Sequence, residues 1–268
     1  MNDAEKGQVN KSAAEIYEDF FVPALFQQWT MRVADAASIG PGQRVLDVAC
    51  GTGTLTKEIA ARVGVEGWAV GVDINEGMLE VASRNNPEVE WRQGSAESLP
   101  FENDSFDAVV CQFALMFFDD RRAAIREMLR VLRPGGRLAI AVWDRMENTP
   151  GYAAVTALLR RLFGDEAANA MRAPFNLGDE QRLRSEFVDA GVYEFEITTQ
   201  PGTARFGSIG DWMYTDIRGW TLADMIDDVQ FDRLLEEAHR ALQEFVGEDG
   251  KASFPAPAHI VTASKRWK

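Results

Sequence analysis

From Arg44 onward, short apolar runs alternate with segments whose apolar residues recur at helical spacing. Strands are predicted over 44–50, 68–74, 89–94, 106–113 and 137–143, with helices over 54–63, 75–85 and 121–132 between them. That alternation predicts an α/β doubly wound sheet, mostly parallel, with helices on both faces. Ahead of it a helical pattern starts at Ser12, runs through Ile16, Phe20 and Phe21, and resumes after Pro23 through Leu25, Phe26, Trp29 and Val33. The first eleven residues are polar and are expected to be disordered.

Beyond Trp143 the rhythm loosens. The stretch 145–178 carries a helix-like segment from Tyr152 to Phe163 and exceeds what a strand-to-helix connection needs. A helix over Asp179–Gly191, a strand over Tyr193–Thr199 and a last strand over Ala258–Ser264 follow. Between those strands lies a second insertion, 201–257, with Trp212, Tyr214, Trp220 and an amphipathic helix from Asp228 to Phe245. The expected organisation is an N-terminal helical cover (1–43), a core (44–200 with 258–268), and two insertions (145–178 and 201–257) forming a lid over a substrate.

Composition narrows the classes of partner. The 268 residues include 28 Lys and Arg against 42 Asp and Glu, a formal charge of −14. Such a charge repels phosphate backbones and anionic membrane surfaces, which argues against nucleic acid and bilayer partners. Cys50 and Cys111 both lie in strand-like apolar runs and read as reduced, buried thiols. Without an apolar signal core or a run of spanning length, a soluble cytoplasmic protein is expected. No metal-ligand cluster stands out in the sequence.

Ligands of open parallel sheets bind beyond the carboxyl ends of the strands, so the chemistry is sought there. The first strand ends in Asp47-Val48-Ala49-Cys50-Gly51-Thr52-Gly53, where glycine lets the backbone turn close to a ligand and N–H groups at the next helix start can meet a polar tail. Asp47 can hold that turn or reach an ammonium. The second strand ends in Asp73 and Ile74, placed for the hydroxyls of a ribose and the edge of a base. The third leads into Ser95-Ala96-Glu97, able to read a purine, and the fourth into Gln112 and Phe113 at the centre of the cleft. Met78 sits one turn beyond the ribose position and can cover a base with its thioether. Tyr17 is a candidate contact from the helical cover. Asp107, at the start of its strand, lies at the wrong edge and is read as structural. Together these features point to a nucleoside cofactor.

With those residues in place, the chain resembles the class I S-adenosylmethionine-dependent methyltransferases, in particular the ubiquinone/menaquinone-biosynthesis-like small-molecule branch. VLDVACGTG resembles the family's glycine motif, VGVDIN its acidic ribose loop, GSAESLPFEND its adenine loop, FDAVVCQFAL its fourth strand, and LRVLRPGGRLAIAVW its helix, turn and fifth strand. The likeness runs over residues 44–144, with weaker similarity in IYEDFFVPALFQQW and PAHIVTASK. It implies a Rossmann-like fold with an antiparallel last strand, S-adenosyl-L-methionine as cofactor and S-adenosyl-L-homocysteine as product. Two departures stand out: Ala49 replaces a frequent glycine, and Ser95 a frequent aspartate.

A sulfonium is already an activated leaving group, so catalysis can rest on alignment in a dry cleft, with a base only where the acceptor must lose a proton. His259, at the start of the last strand, is the one candidate base, with packing the competing role. Phe117, Trp143, Tyr214 and Arg218 are the candidate acceptor contacts, with Met116, Phe118, Trp212 and Trp220 as further parts of an aromatic lid. The expected partner is a small, apolar or aromatic methyl acceptor. Two rivals stay open: a nicotinamide-dependent oxidoreductase, against which Thr56 stands where a third glycine belongs, and a protein that binds the cofactor without catalysis.

Overall fold

The computed structural model describes residues 11–219 and 221–266; Trp220 and nearly all of the N-terminal stretch expected to be disordered fall outside them. Helix α1 (Lys11–Ile16) passes directly into a π-helix (Tyr17–Phe26) and then into α2 (Gln27–Ala36). Pro23, inside the π-helical stretch, has no N–H for an α-helical ladder and its ring needs room. The wider winding supplies that room and carries Tyr17 and Phe26 at its two ends.

Strand β1 (Arg44–Val48) is followed by α3 (Thr54–Val63), β2 (Trp68–Asp73), α4 (Glu76–Asn85), β3 (Glu90–Gln93) and β4 (Phe106–Gln112). Then come α5 (Arg121–Val131), β5 (Leu132–Trp143), α6 (Pro150–Phe163), α7 (Asp165–Arg172), α8 (Glu180–Asp189) and β6 (Phe195–Gln200). The chain finishes with β7 (Thr203–Phe206), α9 (Ile209–Arg218), α10 (Asp228–Ala241), β8 (Ala252–Pro255) and β9 (Ala258–Ser264). Starts are written locally: Asn75, Asp120, Asp179, Ser208 and Asp227 each accept a backbone N–H of the first turn that follows, and Asp227 with Gln230 completes a capping box. Each such cap is worth about 1 kcal/mol.

Seven strands form the main sheet in the order β3-β2-β1-β4-β5-β9-β6. Strands β1 to β5 run parallel, and β9 is antiparallel to both neighbours, so the fold is Rossmann-like with the expected reversed last strand. Central strands buried on both faces account for the unbroken Val-Leu-Ile runs of the sequence. The order turns back between β1 and β4, which opens a crevice above their carboxyl ends.

Three elements differ from expectation. The Pro134-Gly135-Gly136 turn lies inside β5: the pairing jumps from Phe106–Leu132 to Ala108–Arg137, and backbone bonds between Lys265 and both glycines hold the bulged chain. The second insertion contributes a small antiparallel sheet, β7 with β8, and α9 occupies the stretch read as an aromatic lid. Trp212, fully buried, stacks on Phe206 at 5.5 Å and contacts Phe254 at 4.6 Å, giving this insertion an aromatic core of its own. That core also meets the first insertion through Tyr152, 5.3 Å from Phe254. Among the described residues no helix is long and apolar enough to cross a membrane.

Candidate active site

The crevice over β1 and β4 is a cleft of about 270 Å³. Tyr17, Ala49, Gly51, Asp73, Ile74, Met78, Ser95, Ala96, Glu97, Gln112, Phe113 and Phe117 line it, so residues read separately from four strand ends converge on one space. A smaller adjoining recess is lined by Asp47, Thr52 and again Tyr17, Gly51 and Gln112.

The turn after β1 is built from positive φ angles at Ala49 (55°), Gly51 (56°) and Gly53 (87°). At Gly53 glycine is needed twice over, because a Cβ there would stand 2.4 Å from the Trp91 ring. This residue supports the turn from behind, its N–H bonded to Cys50 O at 3.0 Å, and is absent from the linings of the cleft and recess. Ala49 holds the same left-handed region with a side chain, which costs about 1–2 kcal/mol.

Two buried acids organise the floor. Asp73 Oδ2 accepts Gly51 N–H and its Oδ1 accepts Asn75 N–H, both at 2.8 Å. One lone pair on each oxygen is thereby used, and the other pair on each is available to a vicinal diol. Burial raises the Asp73 pKa, and the backbone N–H groups of Asn75 and Gly51 oppose the rise. Asp47 Oδ2 accepts the Thr56 hydroxyl at 2.7 Å, while burial pushes its pKa up to about 7. The residue that replaces a third glycine thus braces the acid. Burial likewise raises the Tyr17 hydroxyl, whose ring stacks on Phe26 at 5.1 Å.

Gln112 Oε1 and Thr52 Oγ1 are buried and have no hydrogen-bond partner among the described residues. Orphaned acceptors beside the recess suit a cationic donor such as an ammonium. On the other side, Ile74 is 54% exposed over the cleft while Met78 and Ala96 are buried in its wall. Ser95 Oγ accepts Glu97 N–H at 3.1 Å, and Glu97 Oε1 accepts Asp120 N–H at 2.8 Å, so the loop is rigid before any ligand arrives.

Phe113 stacks on Trp143 at 3.9 Å, and Phe26 tilts against both at 5.6 and 5.9 Å. Trp143 faces a second, smaller cavity behind this wall. Sequence reasoning passed over Phe26, which it treated as helix packing, and Asn75, whose signal was its place as an N-cap.

Three candidates lie elsewhere. Tyr214 is 40% exposed and packs edge-on to Phe20, because Trp212 takes the inward face of α9. Arg218 bonds Ile226 O at 2.9 Å and Asp228 at 2.6 Å and lies over the Phe231 ring, clamping the second insertion to itself. His259 is buried with both ring nitrogens engaged: Nδ1 with Thr199 Oγ1 at 2.8 Å, Nε2 with Gly178 O at 2.9 Å and Asp144 Oδ1 at 3.2 Å. It ties the first insertion to the sheet and has no free nitrogen for a substrate. Asp107, as expected, is structural, accepting Arg44 N–H and pairing with Arg133.

Among the described residues no Lys or Arg lines the cleft or the recess, whereas Asp47, Asp73, Glu97 and Asp119 do. A dinucleotide's pyrophosphate finds no counter-charge there; a nucleoside carrying a sulfonium and an ammonium does. The sheet with its reversed β9, and a ribose-type acid at the end of β2, define a class I S-adenosylmethionine-dependent methyltransferase. Residues 45–136 match the family profile described as a methyltransferase domain. The chain is 34% identical over 208 residues to a ubiquinone/menaquinone biosynthesis C-methyltransferase of Pseudomonas fluorescens, covering 70% of this chain and 81% of that one. To a demethylmenaquinone methyltransferase of Renibacterium salmoninarum it is 41% identical over 135 residues, a match spanning half of this chain and 56% of that relative's length. The YcgJ protein of Bacillus subtilis shares the fold, with a TM-score of 0.60 at 23% identity over 90% of this chain and 99% of that one. The protein belongs to the S-adenosylmethionine-dependent methyltransferases of the ubiquinone/menaquinone-biosynthesis type.

Proposed function

We propose that the protein methylates a small, uncharged, hydroxylated aromatic metabolite, with ring carbon as the favoured accepting atom. The observation that carries this is the aromatic wall of Phe26 and Phe113, backed by Trp143, in a cleft that no Lys or Arg among the described residues lines. A phosphorylated or carboxylated acceptor has no cationic partner there, whereas a flat apolar ring has Phe26, Phe113 and Phe117. The Pseudomonas relative's name as a C-methyltransferase supports carbon as the target.

In this reading Asp73 accepts the ribose hydroxyls, Ile74 and Met78 sandwich the adenine, and the loop of Ser95, Ala96 and Glu97 reads its edge. Gly51, Thr52, Asp47 and Gln112 hold the amino-acid end, with Ala49 shaping the turn and Tyr17 closing over it. Phe113, Phe117 and Trp143 receive the acceptor, and the two insertions cover it. When bound, S-adenosylmethionine supplies a methyl group on a sulfonium, so the leaving group needs no acid. The chain's part is to exclude water and align the acceptor, a contribution of about 7–11 kcal/mol where alignment is complete.

Calorimetry with S-adenosylhomocysteine and NAD side by side, followed by labelled methyl transfer to naphthols and hydroquinones with product analysis, tests this. Binding of the homocysteine derivative alone and a C-methylated ring are expected. Asp73→Ala should weaken the nucleoside about 10-fold or more, as loss of a charged hydrogen-bond acceptor does. Binding of the dinucleotide alone, unchanged affinity in Asp73→Ala, or turnover confined to phosphorylated amines would overturn the proposal.

A further inference from the structure

Methylation of a hydroxylated ring leaves a proton to be removed, and on the reading above the acids of the cofactor cleft and recess have other tasks. Asp73 takes the ribose, Glu97 holds the start of α5, Asp47 is braced by Thr56, and Asp119 has a partner of its own. Behind the aromatic wall lies a separate cavity of about 30 Å³, lined by Phe26, Trp143, Tyr152, Met171, Phe175 and Asp216 among others. Phe26 faces both spaces.

Among the described residues Asp216 is the only charged side chain in that lining, and it is 3% exposed. Its Oδ1 accepts the Tyr152 hydroxyl at 3.2 Å and its Oδ2 the Trp212 indole N–H at 2.8 Å. Both donors are neutral, and among the described residues no cation faces it. Burial therefore favours the protonated form and makes the charged form costly, a penalty that an amide or apolar residue would not carry, so stability alone does not account for an acid in this position. Each oxygen keeps a lone pair beyond those two bonds. An uncompensated acid in a cavity wall beside a catalytic cleft marks a group with a chemical task.

We propose, on the aromatic-acceptor reading given above, that this cavity is the inner end of the acceptor subsite and that Asp216, oriented by Tyr152 and Trp212, takes the proton of the acceptor hydroxyl. The O–H bond breaks, the proton goes to a carboxylate oxygen of Asp216, and the electron pair left on oxygen enriches the neighbouring ring carbon. That carbon's pair forms the bond to the methyl group as the carbon–sulfur bond of the sulfonium breaks and its pair returns to sulfur. The carbon's own proton then leaves to water and restores the ring, and the proton on Asp216 goes back to the product oxygen, so one proton is released in all and the enzyme ends as it began. At 30 Å³ the cavity has room for a water or two, so admission of a ring requires Phe26, which lines both spaces, to turn aside as the acceptor binds.

Burial pushes Asp216 up to about 8, opposed by the bonds from Trp212 and Tyr152 and with no neighbouring charge contributing. A proton acceptor tuned towards the phenol range works more efficiently than an ordinary carboxylate. The other titratable group facing it is Tyr152 from α6; Arg218 of its own helix is turned to Ile226 and Asp228. The lining from the π-helix, β5 and the 170–175 segment is apolar.

The full-length protein, loaded with S-adenosylhomocysteine, is titrated with 2-naphthol and with naphthalene. Above pH 8, where Asp216 is ionised, wild type should prefer 2-naphthol about 10-fold or more, the yield of one hydrogen bond to a charged group. Asp216→Asn should abolish that preference while leaving naphthalene and S-adenosylhomocysteine affinities unchanged, and should slow methyl transfer about 100-fold or more. Tyr152→Phe keeps the acid and should keep the preference. If Asp216→Asn retains both the preference and turnover, the role assigned to Asp216 is wrong although the aromatic-acceptor reading stands. If neither probe binds while S-adenosylhomocysteine does, the aromatic-acceptor reading itself fails and the role falls with it.

Discussion

Replacing Asp216 by asparagine should make the protein more stable, and increasingly so as pH rises. Folded Asp216 holds its proton up to about pH 8, against an ordinary carboxylate value of 3.8. A raised folded pKa contributes stability that is complete below the unfolded value and is lost as pH climbs through the folded one. Between pH 5 and pH 8 that loss amounts to ~4 kcal/mol at about 1.36 kcal/mol per unit. The asparagine amide copies the neutral acid: its oxygen accepts from Trp212 and its nitrogen donates to the Tyr152 oxygen, with no charge to bury at any pH. Urea denaturation of both proteins at pH 5, 6, 7 and 8, followed by tryptophan fluorescence, reads the difference directly. Asp47, at about 7, and the raised Asp73 titrate in both proteins and cancel from it. A stability difference that stays constant within about 1 kcal/mol over this range, less than one pKa unit of linkage, would refute the reasoning. A variant that is both more stable and less active is what strain held at a functional site produces.

Other expectations follow from local geometry. Gly53→Ala combines a left-handed φ of 87° with a Cβ 2.4 Å from the Trp91 ring, and should lower stability by about 2 kcal/mol or more in a thermal or chemical melt. Ala49→Gly relieves the strain at φ 55° against the greater entropy of glycine in the unfolded chain, for a net gain of about 0.5–1 kcal/mol with S-adenosylhomocysteine affinity preserved. His259→Leu strands Thr199 Oγ1, Gly178 O and Asp144 and should cost about 2–3 kcal/mol, while kcat at saturating substrates changes less than threefold because the ring touches neither cavity.

The proposed cofactor half was legible because its signals are local. Gly51, Asp73 and Gln112 each sit at or just past the end of an apolar strand and Ser95 just past the polar edge strand β3, and the parallel order of those strands brings their ends to one edge. The proposed acceptor half was obscure because its residues meet only through long-range packing. Asp216 acquires its surroundings from Tyr152, a helix of the other insertion, and in the sequence it stands unmarked between Thr215 and Ile217. Tyr214 and Trp212 are equally aromatic, and only the phase of α9 against β8 decides which is buried. Arg218 had a partner three turns of chain away in Asp228, which no spacing rule singles out from solvent exposure. His259 was correctly placed on the reversed strand, but the carbonyl that takes its Nε2 belongs to a loop of no regular structure, at Gly178.

The lining of the cofactor cleft between β1 and α5 comes from one uninterrupted stretch, Ala49 to Asp119, while the inner cavity draws on the π-helix, the end of β5 and both insertions. On the proposed reading, donor and acceptor recognition are therefore inherited largely through different segments of the gene, with Tyr17, Phe26 and Gly219 the exceptions in the cleft lining. On that reading, drift or grafting in residues 145–178 and 201–257 changes the methyl acceptor while leaving most of the nucleoside seat intact. Gly219, which lines the cleft, and Phe26, which lines both spaces, are the positions through which such a change would still be felt on both sides.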